Sequence, residues 1–160
     1  MDLHLLAAQY VVGLLRTEEL SSIATDLLVG GVESPSFVLL AGALPSDPVP
    51  DLRDLLEAGL NECGIEMPSR VAAARQVTLH LASQVATGRL PPESGAAQMV
   101  DLYLEVGDQL PPGEKFAGDA LGIARLLALY YDFDDVAPWD PAWKDIEREI
   151  IDECRAIAGA

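Results

Sequence analysis

Positive charge is what this chain has least of. Ten Lys and Arg stand against 26 Asp and Glu in 160 residues, a formal charge of −16. A surface of that sign repels phosphate backbones and anionic headgroups alike, so neither nucleic acid nor a membrane surface is an expected partner. Cysteine is almost absent: Cys63 and Cys154 are the only two, too few for a disulfide-stapled secreted scaffold. Each falls in an expected helix and reads as a buried thiol, with a single bridge between them the minor alternative. Long apolar runs are missing as well. The stretch from Leu3 to Leu15 is interrupted by His4 and Gln9 and falls short of the roughly 20 residues that cross a bilayer. Met1-Asp2-Leu3-His4 places an acid where a secretory leader needs basic residues, which points to the cytoplasm.

Alternation of apolar and polar residues, the mark of a half-buried strand, is the last thing missing; spacing of three and four recurs instead. The expected fold is all-α, a single compact domain over residues 1–160 with about seven or eight helices, in which 1–43 forms a semi-separate hairpin. Half the residues are apolar, enough for a chain of this length to fold without metal or disulfide. The first helix is expected over about 2–15, the second over 18–29 after a Thr17 cap, ending at Gly30-Gly31. Ser34-Pro35 starts a short helix that ends near Gly42 and reads as buried all round. Three prolines between Leu44 and Pro50 make the clearest linker, after which Asp51 is expected to cap a helix to Cys63 closed by Gly64.

Ser69 opens a helix of about eighteen residues that is expected to be central, with Gly88 past its end. Leu90-Pro91-Pro92-Glu93 starts the next, and Leu110-Pro111-Pro112-Gly113-Glu114 another that carries Phe116 through Tyr130. In the last helix Asp140 is the cap and Pro141 the first residue, and Trp143, Ile146, Ile150, Cys154 and Ile157 form its apolar stripe. The helices over 69–87, 115–131 and 141–158 are expected at the centre of the fold.

Motifs of chemistry are tested and fail. A helical diiron site needs Glu three residues before His, but Met1 and Val77 precede His4 and His80 at that offset. A calcium loop starting at Asp132 would put Val136 fifth, Ala137 at the glycine position and Trp143 where a bidentate Glu belongs. Gly30-Gly31 follows a helix rather than a strand, so no phosphate loop is read. No metal and no cofactor is expected. Asp132-Phe133-Asp134-Asp135 matches the Asp-x-Asp-Asp pattern of terpene cyclases that protonate an alkene. That chemistry needs a deep, dry cavity in a much larger chain, and the four residues read as a solvated helix end.

One composition stands out. Tyr130, Tyr131, Phe133, Trp139 and Trp143 place five of the nine aromatics within fourteen residues, interleaved with Asp132, Asp134, Asp135 and Asp140. Ring faces beside carboxylates receive a cation or an arginine-bearing partner, which makes Tyr131, Asp132, Phe133, Asp134, Asp135 and Trp139 the candidate partner-binding residues. The competing reading is a connector whose rings cover the core, Trp139 packing just before the Asp140 cap. Ala82 to Ala97, ending Thr87-Gly88-Arg89-Leu90-Pro91-Pro92-Glu93-Ser94-Gly95-Ala96-Ala97, is similar to a pattern in small acidic actinobacterial proteins of unassigned role. In size, charge and helicity the chain also resembles bacterial immunity proteins that neutralise toxins. Neither resemblance implies a site residue.

The expected function is a non-enzymatic, immunity-like interaction module that recognises a basic protein surface. The alternative is a small helical enzyme or ligand-binding protein with His80 and a carboxylate, Asp101 or Glu105, in an interhelical pocket. A homodimer through apolar surface on the 35–42 helix or the aromatic segment is a third reading.

Overall fold

Apolar residues at three- and four-residue spacing bury one stripe of a helix against others, and the chain is built of nothing else among its described residues. The computed structural model describes residues 2–44, 47–107, 121–137 and 139–159. In them lie eight α-helices, one short 3₁₀ turn and no strand, the all-α class read from the sequence. The contacts divide the chain into two compact units, 1–69 and 70–160.

In the first unit, α1 (Leu3–Val11) is capped by Asp2, whose carboxylate accepts from the backbone of His4 and Leu5. It ends several residues before the expected boundary. Gly13 adopts φ +77°, and Leu14 N–H turns back to the Gln9 carbonyl, closing the helix inside an apolar run that carries no other stop signal. The 3₁₀ turn Thr17–Glu19 leads into α2 (Leu20–Val29); the Glu19 carboxylate accepts from Arg16 N–H, so the cap lies one residue before Thr17. α3 (Pro35–Ala41) starts as expected at Ser34, whose hydroxyl accepts from Phe37 N–H at 3.1 Å.

The reading of α3 as buried all round is corrected: Phe37 and Leu40 are fully enclosed, but Val38 and Leu39 stand more than half exposed. α4 (Val49–Glu62) starts after Pro48, with Pro50 and Asp51 in its first turn, because proline costs nothing where N–H groups have no helical partner. Leu6 and Ala7 of α1, Leu20, Ala24 and Leu27 of α2, Phe37 and Leu40 of α3 and Leu52, Leu56 and Leu60 of α4 form one core. α4 packs on α3 and α2, so the division falls after α4, at Ser69, rather than at the proline run.

The second unit is centred on α5 (Arg70–Ala86), which packs against α6 (Pro92–Val106) and the last helix. Gly88, at φ +72°, closes α5. α7 (Ala124–Asp134) and α8 (Pro141–Ala158) lie against each other, and both meet α6. The expected helix start at 110–114 lies outside the described residues. α8 follows its sequence signature throughout: the Asp140 carboxylate accepts from Ala142 N–H, Ile150 and Cys154 are buried, and Gly159 ends it in the left-handed region. Arg125 of α7 reaches Glu149 and Glu153 of α8, while Asp145–Arg148 and Asp152–Arg155 pair along the outer face. Both cysteines are free thiols; Cys154 is buried and pushed up to about 11 by that burial, whereas Cys63, at the exit of α4, is only half-buried.

Candidate functional site

The acidic aromatic segment spans the last turn of α7 and the connection to α8. Its rings divide into two kinds. Phe133 is buried, with its centroid 3.7 Å from that of Trp143, and serves the core rather than the surface. Trp139 is 87% exposed and Tyr131 54% exposed. The reading in which Trp139 covers the core is therefore corrected: Trp143 fills that role from the first turn of α8, and Trp139, ahead of the cap, is left in solvent.

Asp132 and Asp135 are exposed on either side of Phe133, and Asp140 is exposed at the start of α8. The Asp134 side chain lies outside the described residues. The last turn of α7 carries no basic residue. A helix C-terminus already holds partial negative charge from its unpaired carbonyls, so Asp132 and the Asp135 cap sit where a carboxylate is disfavoured, each by about 0.3 to 1 kcal/mol. The described ion pair of α7, at Arg125, is made from its first turn. The segment thus exposes two rings, Tyr131 and Trp139, and three carboxylates, Asp132, Asp135 and Asp140.

In the alternative site, His80 and Glu105 each have another partner. His80, on α5, shares a hydrogen bond with Gln84 one turn along, 2.6 Å between the amide nitrogen and Nε2. Glu105 pairs instead with Arg70, N to O at 2.6 Å, and Asp101 is exposed. Among the described residues no group of three metal-ligating side chains converges, and no helix is long and apolar enough to cross a membrane.

A cleft of about 530 Å³ opens in the first unit, lined by Tyr10 of α1, Leu15 beyond that helix, Thr17, Leu20, Arg53, Glu57 and Met67, among others. The Tyr10 hydroxyl donates to Glu57 Oε1 at 2.6 Å. Partial burial, then the bond to Glu57, pushes the phenol up to about 12, so it stays protonated and keeps donating. Sequence reading gave no sign of this cleft, since 47 residues separate Tyr10 from Glu57; the only local signal is Arg53 and Glu57 at a spacing of four on one helix face. No family model, curated protein or solved structure matches the chain.

Proposed function

We propose that the protein is a non-enzymatic interaction module whose segment 131–140 receives an arginine- or lysine-bearing surface of a protein partner. The observation that carries this reading is Trp139, 87% exposed in a run that also exposes Tyr131, Asp132 and Asp135. An exposed indole forgoes about 2 to 3 kcal/mol of burial, and carboxylates at a helix C-terminus add a further unfavourable contribution. A guanidinium laid on the ring with its hydrogen bonds to Asp132 or Asp135 relieves both. The formal charge of −16 adds long-range steering towards such a surface. A cytoplasmic setting belongs to the same proposal and is supported by two free thiols.

The test isolates the ring. With Trp143→Phe, Trp139 is the one indole left, and its emission is followed during titration with an arginine hexapeptide. A saturable change that weakens at about 0.5 M salt and is lost in Asp132→Asn/Asp135→Asn supports the segment. A change retained in that variant assigns the attraction to general surface charge and overturns the reading. A second reading, self-association through α3, rests on exposed Val38 and Leu39. Light scattering decides it: a dimer that Val38→Asp dissociates supports it, and a monomer throughout removes it.

A further inference from the structure

Arg53 and Glu57 face the cleft of the first unit from α4, four residues apart. Side chains at that spacing lie about 5 to 6 Å apart at their Cβ atoms and ordinarily pair. Here they do not: among the described residues Arg53 has no ion pair within 4 Å. Glu57 Oε1 accepts instead from the Tyr10 hydroxyl. The order along the helix, cation before anion, also favours the pair less than the reverse.

A guanidinium and a carboxylate thus line one cleft without a direct ion pair between them. Glu57 keeps its Oε2 for another donor, since the described bond uses Oε1. The lining also includes the apolar Val11, Leu15, Leu20 and Met67 and the hydroxyl-bearing Thr17. A volume of about 530 Å³ lies in the usual range for a small-molecule site.

The geometry points to this cleft as a binding site for a small zwitterion with an apolar tail, of which an apolar α-amino acid is the simplest case. Its carboxylate meets the Arg53 guanidinium, its ammonium meets Glu57, and its tail lies on Leu15, Leu20 and Met67. Each charge alone is matched by only half the site. Arg53 is one of two cations among the first 69 residues against eleven acids, so a ligand carrying only negative charge is repelled by the surroundings.

Amide NMR shifts on titration with L-leucine test the proposal, with three companions: glycine, which lacks the tail; 4-methylpentanoate, which lacks the amine; and isoamylamine, which lacks the carboxylate. The expected result is saturable shifts at Gly13, Thr17 and Leu20 with leucine, and binding weaker by at least about tenfold for each companion. Arg53→Gln and Glu57→Gln, both at exposed positions, each abolish the shifts while circular dichroism stays that of the parent. No shift at those residues with leucine at about 10 mM, roughly the weakest affinity worth assigning to a site, overturns the proposal. So does 4-methylpentanoate or isoamylamine binding as well as leucine, since one charge then suffices. If a variant unfolds, the four-ligand series on the parent chain still decides.

Discussion

Glu62 shows how one carboxylate can tie two helices. From the end of α4 it accepts the Ser34 hydroxyl, the Ser36 hydroxyl at 2.6 Å and the Ser36 N–H at 3.1 Å, closing over the start of α3. Those bonds, Ser34 first, hold its carboxyl below the ordinary range. The folded chain therefore binds a proton there less readily than the unfolded one. The stabilisation is fully present above the free glutamate value of about 4.3 and is lost as pH falls through it towards the lower folded value. Thermal unfolding of parent and Glu62→Gln checks this: the variant melts lower at about pH 7, and the gap closes towards about pH 3. A gap constant with pH would place the effect in packing instead. Nothing local in the sequence marks this residue, because its partners are 26 and 28 positions away; the same non-locality hides the pairing of Tyr10 with Glu57.

At the scale of the element, α3 and α4 meet where α4 has no side chain. A Cβ on Gly59 would stand 2.4 Å from the Phe37 ring, which is fully buried. Alanine in a helix interior ordinarily gains about 1 kcal/mol over glycine, but displacing a packed ring costs about 1 to 3 kcal/mol. Gly59→Ala is therefore expected to lower the urea midpoint, and Phe37→Leu in the same chain to recover part of the loss. A higher midpoint for Gly59→Ala alone would show that the ring moves aside freely. The helices were legible wherever a cap wrote the boundary, as at Ser34-Pro35 and Asp140-Pro141, because those signals act within three residues. The end of α1 was not, since Gly13 lies between apolar neighbours that continue the helical pattern past it. α3 misled for a related reason: its one polar side chain, Ser36, is buried against Glu62, so no polar residue marks the exposed face. In the segment 131–140, residue types and spacing flagged the cluster. Which ring turned inward depended on Trp143 filling the space beside Phe133, a packing outcome that residue spacing does not encode.

For the molecule as a whole, charge of one sign is the dominant electrostatic fact. Residues 1–69 hold eleven acids and two arginines, and residues 70–160 fifteen acids and eight basic residues. Like charges at this density repel one another in the folded state more than in the expanded chain, and salt screens that repulsion beyond about 10 Å at 0.1 M. The melting temperature is therefore expected to rise between about 10 mM and about 0.5 M sodium chloride. A fall would mean that the surface ion pairs, such as Arg70–Glu105 and Asp152–Arg155, outweigh the net repulsion. The division at Ser69 has a consequence for synthesis. Each half of the chain is continuous, so the core that joins Leu6 to Leu60 is complete in sequence while the ribosome still has α5 to α8 to make. The amino-terminal helices can therefore settle among themselves first, and a released polypeptide ending at Ser69 should already resist protease.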